Sequence, residues 1–179
     1  MALDLVQRAA MTRRAFRALA PPIFVVGLEW LVSGTNKLIG NFVGTFPAYV
    51  SGLQAEHTFL PGLSLMAKAP ILAAWLAIVT ENVLGITLLL ASVALLFRAK
   101  RIWEVVAGTA LVVSTFVAAG LWLIVGRPPF WPDGVGYGSG WPIEFFLLCI
   151  SAALTVAIAF ADPDETLVMR ATRFLHHRK

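Results

Sequence analysis

The sequence predicts an all-α, polytopic membrane protein: a bundle of four transmembrane helices with an amphipathic surface helix at each end. Three observations carry that prediction. Of the 179 residues, 59% are hydrophobic and only 13% are charged, and the mean hydropathy is +0.81. A soluble domain of this length could not wet so apolar an exterior. The apolar residues fall into four continuous runs, each near the roughly 20 residues that cross a hydrocarbon core. The basic residues, finally, collect at the ends of these runs. No polar stretch is long enough to be a second domain, so residues 1–179 are expected to be one membrane unit.

Residues 1–20 read as a helix lying on the membrane surface. Leu5, Ala9, Thr12, Phe16 and Leu19 recur every three or four positions, while Arg13, Arg14 and Arg17 lie off that stripe. The "TRRAF" stretch resembles a twin-arginine export signal, but Pro21, Pro22 and Glu29 interrupt what would be its apolar core. The spans follow at 22–43, 69–97, 105–125 and 142–160. Continuous runs of this length are helices, because barrel strands would be short and alternating. Between them, 44–68 and 126–141 read as loops rich in Pro, Gly and aromatic residues. Phe46, Tyr49 and Phe59 in the first, and Trp131, Tyr137 and Trp141 in the second, fit an interfacial aromatic belt; such aromatic walls also suit a quinone ring. At the C-terminal end, Asp162 as cap, Pro163 in the first turn and Glu165 three residues after the cap start a basic tail helix over 162–179.

With four spans, eleven basic residues share one side: Arg8, Arg13, Arg14, Arg17, Arg98, Lys100, Arg101, Arg170, Arg173, Arg178 and Lys179. The other side has Lys37, Lys68 and Arg127. This asymmetry predicts cytoplasmic termini and, in a bacterial cell, the inner membrane. The net charge of +4 is therefore directed at anionic lipid headgroups and not at nucleic acid. One cysteine, Cys149, excludes an intrachain disulfide and a CxxC redox pair; it reads as a small buried residue. His57, His176 and His177 lie in a loop and in the tail, where they do not form a bis-histidine haem site. No clustered Cys/His metal site and no phosphate-cradling glycine pattern is present, and no covalently bound cofactor is expected.

The informative residues are polar groups inside the apolar runs. A charge at the centre of a span costs about 2.5–3.5 kcal/mol, so it faces the bundle or a wet cavity and has a partner. Glu81 lies near the middle of the second span, about 16–18 Å below its outer end at 1.5 Å per residue. Lys37 lies in the outer half of the first span, able to reach headgroups or a carboxylate. Glu29 is about 12 Å along the helix axis from Lys37, too far for a direct pair. Glu29 and Glu81 are expected to be the two deep carboxylates that face the bundle interior. Ser33, Asn36, Asn41 and Asn82 read first as interhelical hydrogen-bonding groups. Glu144 begins the fourth span, where a helix N-terminus favours a carboxylate.

Taken together, a basic N-terminal helix, Gly34 and Lys37 in a "GTNKL" setting, Glu81 followed by Gly85 and a leucine run ending at Arg98, and a last span opening near Glu144 and closing at "FADPDE" resemble the DoxX/DoxD family of four-helix membrane proteins. The resemblance covers most of the chain as architecture. It implies a membrane subunit of a quinone-linked oxidoreductase complex, acting on thiosulfate, another sulfur compound or a thiol, with the catalytic partner on a separate chain. With that reading, a pocket near the outer face is expected in which Lys37 stabilises negative charge and Glu81 exchanges a proton, with Glu29, Ser33, Asn36, Asn82 and Glu144 around a quinone headgroup or an anionic sulfur substrate. The alternative is a non-catalytic accessory or scaffold subunit, packing through small-residue faces such as Gly40/Gly44 and Ala73/Ala77, or a homo-oligomer. A transporter fits less well, because four spans without an inverted repeat offer little for alternating access.

Overall fold

A computed structural model describes residues 2–56, 61–97, 101–125 and 143–160. Among these residues six helices follow in order: α1 (Ala2–Ile39), α2 (Phe42–Glu56), α3 (Pro61–Lys68), α4 (Pro70–Phe97), α5 (Arg101–Val125) and α6 (Ile143–Phe160). Among the described residues no strand occurs, and three segments are long and apolar enough to cross a membrane: Arg14–Ile39, Pro70–Phe97 and Arg101–Leu121; the apolar part of α6, Phe145–Phe160, is shorter.

The long helices pack in a ring. α1 lies against α4, α4 against α5, α5 against α6, and α6 returns to α1. Their shared core includes Phe16, Ile23 and Trp30 from α1, Leu88 and Leu95 from α4, Leu111 from α5 and Ile158 from α6. Fully buried serines cross this core. Trp30 Nε1 donates to Ser114 Oγ at 2.7 Å, and Ser114 and Ser151 share a hydrogen bond of 2.8 Å. One short polar ladder thus ties α1 to α5 and α5 to α6. The outside is apolar: Leu72, Leu76, Val79, Val83, Ile86 and Leu90 are exposed along one stripe of α4. Polar contacts inside and branched aliphatic side chains outside are what a lipid solvent demands.

Two boundaries differ from the sequence expectation. The surface helix expected over 1–20 and the span expected from 22 belong to one continuous helix, with Pro21 and Pro22 inside it. Each proline lacks an N–H and normally interrupts a helix. Here Phe16, Ala20, Ile23 and Val26 are buried on both sides of the pair, whereas Pro21 is exposed and Pro22 only half-buried. Packing of the common face outweighs the missing hydrogen bonds. The segment 44–68, expected to be a loop, is largely α2 and α3. Pro, Gly and aromatic residues masked a helical spacing: Phe42, Phe46 and Val50 recur every fourth residue and pack with Met66, Ala67, Ala73 and Ala74. Phe46 is accordingly buried and does not join an interfacial belt. Pro61 and Pro70 stand at helix starts, where a missing N–H costs nothing.

Cys149, expected to be buried, is exposed on α6. A run apolar on all sides does not reveal which side meets lipid. The tail 162–179, the loop 126–141 and Phe59 lie outside the described residues.

The α1–α4 contact is the closest in the bundle, and glycine makes it so. A Cβ placed on Gly85 would lie 2.6 Å from Leu31 N, and one on Gly27 would lie 2.9 Å from Leu89 N. Residue numbers rise on α1 as they fall on α4, so the two helices run antiparallel. By contrast, a Cβ on Gly120 in α5 meets nothing within 4 Å. Gly85→Leu is therefore expected to lower thermal stability in detergent or nanodiscs by about 1–3 kcal/mol or more, through overpacking against backbone. Gly120→Ala should raise it by about 0.5–1 kcal/mol, as removal of a helical glycine does.

Candidate functional site: an interhelical ion pair beside a polar groove

The glycine seam positions the polar residues. Gly34 faces Asn82 so closely that a Cβ would meet Asn82 Nδ2 at 2.5 Å. Asn82 accepts a hydrogen bond from Thr35 Oγ1 at 3.3 Å and donates from Nδ2 to the Ile78 carbonyl at 2.8 Å. One residue earlier on α4, Glu81 is 1% exposed and receives the Lys37 ammonium on Oε1. Lys37 Nζ donates a second hydrogen bond to Ser33 Oγ, one turn back on its own helix, at 3.2 Å. The ammonium also stands 5.6 Å from the centroid of the Phe42 ring, within the range of a cation–π contact. Glu81 Oε2 is fully buried and has no hydrogen-bond partner among the described residues.

Lys37 is the outer member of the pair, with its side chain 24% exposed. It lines an open groove along α1 and the start of α2, together with Glu29, Val32, Ser33, Asn36, Gly40, Phe42 and Thr45. The groove bends where α1 gives way to α2. Asn41 adopts φ 57° there, a left-handed conformation that Asn tolerates better than most residues. Gly40 N donates to the Asn36 carbonyl at 2.8 Å, while Gly44 N and Thr45 N donate to the Asn41 carbonyl at 3.1 and 3.2 Å. These bonds close one helix and open the next within two residues.

The sequence-predicted site residues thus divide into three groups. Glu29, Ser33, Asn36 and Lys37 share the groove. Glu81 lies behind Lys37, with its carboxylate turned into the bundle. Asn82 belongs to the α1–α4 seam and binds Thr35. Glu29 differs from expectation: it is half-buried and lines the groove, and only Glu81 faces the bundle interior. Asn41 is a turn residue, and Asn36 is exposed. The Glu144 side chain lies outside the described residues. Sequence reasoning missed Thr35, Thr45 and the Trp30–Ser114–Ser151 ladder. The available signal was the same one that pointed to Glu81, a polar atom inside an apolar run.

Chemically, the site offers an ammonium held by a buried carboxylate, and beside it the Glu29 carboxylate, hydroxyls and an amide in a groove whose apolar side chains are Val32 and Phe42. In comparisons with known proteins, the chain matches no family model, no curated protein and no solved structure.

Removing one member of a buried ion pair strands the other charge and costs about 3–5 kcal/mol, whereas replacing both members by apolar residues is often neutral. Lys37→Met strands the fully buried Glu81 and is expected to cost about 3–5 kcal/mol. Lys37→Met combined with Glu81→Leu should recover most of that loss. A double-mutant cycle on thermal or denaturant unfolding in nanodiscs measures the coupling.

Proposed function

We propose that the chain is an integral membrane subunit of a quinone-linked oxidoreductase complex, and that the groove beside the Lys37–Glu81 pair receives the quinone headgroup. The observation that carries this reading is the placement of Lys37: its ammonium is fixed by Glu81 and Ser33 and is still open to the groove. A carbonyl oxygen arriving there would meet a preorganised donor, which favours the negative charge that develops on reduction. Glu81, through Lys37, is placed to exchange a proton with that donor. Gly34, Lys37, Glu81 and Gly85, four of the residues on which the DoxX/DoxD resemblance rests, lie along the α1–α4 seam, in keeping with the same reading. Four crossings, with α6 as the fourth, and cytoplasmic termini in a bacterial inner membrane complete the proposal. The electron donor would be a sulfur compound or thiol oxidised on a partner subunit.

A second reading is an accessory or scaffold subunit. The exposed Gly40 and Gly44 favour it as an uncovered small-residue face. Ala73, in contrast, is already packed against α2. Photolabelling in nanodiscs with an azido-quinone separates the two readings. Competitive labelling of peptides from α1 and the start of α2, reduced roughly tenfold or more by Lys37→Met in protein that retains its helical circular dichroism, is expected for a quinone site. Labelling unchanged by Lys37→Met, or not competed by excess quinone, contradicts it and leaves the scaffold reading.

A further inference from the structure

The charges along the groove do not cancel. Lys37 is the one cation among its lining residues, and Glu81 already neutralises it from behind. Glu29 is left over. Among the described residues its carboxylate has neither a hydrogen-bond partner nor an ion-pair partner. It stands ten residues before the end of α1, about 15 Å along the axis, which is about half the thickness of a hydrocarbon core. An uncompensated charge at that depth costs about 2.5–3.5 kcal/mol. The surroundings add no compensation: Val32 at 45% exposure forms an apolar lip beside Glu29, and Arg17, the closest basic residue preceding Glu29 on α1, is three turns away.

We propose that the groove is a binding site for a lipid-soluble organic cation, whose positive centre is held by Glu29 and whose apolar groups lie along Val32 and the ring of Phe42. An ionised Glu29 would give the groove a negative charge that Lys37, already paired with Glu81, does not balance. A cation entering from lipid gains a partner that the protein itself does not supply, while an anion of the same size meets Glu29 unopposed. The Glu29 end of the groove therefore selects by sign. This inference goes beyond the quinone reading and does not rest on it, because it depends on Glu29 and not on the Lys37 donor.

The test uses two nearly isosteric ions of opposite charge, tetraphenylphosphonium and tetraphenylborate. Each is titrated by equilibrium dialysis against the full chain in zwitterionic nanodiscs, with empty nanodiscs subtracted. The expected result is saturable binding of about one tetraphenylphosphonium per chain and no saturable binding of tetraphenylborate. Glu29→Gln should weaken the cation roughly tenfold or more, about 1.4 kcal/mol, without lowering the thermal transition, and Glu29→Asp should retain most of the binding. Saturable binding of both ions alike, absence of saturable cation binding, or an affinity unchanged by Glu29→Gln would overturn the proposal. The quinone reading is tested by Lys37→Met and this one by Glu29→Gln, each with its own probe, so the two readings fail separately.

Discussion

Everything distinctive in this bundle follows from how closely α1 approaches α4. Glycines at 27, 34 and 85 bring the two backbones to a distance that no side chain would allow. Close packing is the main attraction available between helices in lipid, where burying an apolar side chain gains nothing over the hydrocarbon outside. The approach also sets reach. With the helices this near, Lys37 extends across the seam to Glu81, and Asn82 receives Thr35. With a wider gap, the carboxylate of Glu81 would be buried without a cation, an arrangement far costlier than the pair.

The same solvent explains the distribution of polarity. Water would reward charged residues outside and aliphatic ones inside. Here the large exposed side chains of α4 are Leu, Ile and Val with Trp75 and Phe97, whereas Glu81, Ser92, Ser114 and Ser151 are buried. Each buried polar side chain costs free energy unless it is hydrogen-bonded, and the serines are: Ser114 to Trp30 and Ser151, and Ser92 to the Leu89 carbonyl. Glu81 Oε2 is the exception.

Much of this was legible in the sequence, and the unread part has physical reasons. The helices α4, α5 and α6 are continuous apolar runs, and length alone identifies them. Lys37 and Glu81 could be paired because a membrane interior tolerates few other solutions for two charges. The path of α1 through Pro21–Pro22 was hidden, because a local rule about proline was overruled by packing of Phe16, Ala20 and Ile23. The helices α2 and α3 were hidden by their Pro, Gly and aromatic content. The side on which Glu29 lies was hidden for a geometric reason. Successive residues on a helix differ by 100°, so Glu29 stands a quarter-turn or more from the buried Trp30, and only the packed structure fixes where the core face ends.

The central claim is that Lys37 and Glu81 meet across α1 and α4 inside the bilayer. Rotational-echo solid-state NMR on protein in lipid, with lysine Nζ labelled with 15N and glutamate Cδ with 13C, measures that contact directly. The account predicts a strong dipolar coupling, corresponding to a separation of about 3–4 Å for a hydrogen-bonded ammonium–carboxylate pair, that vanishes in Lys37→Met. A spectrum without such a coupling, or with one that survives the substitution, would contradict it.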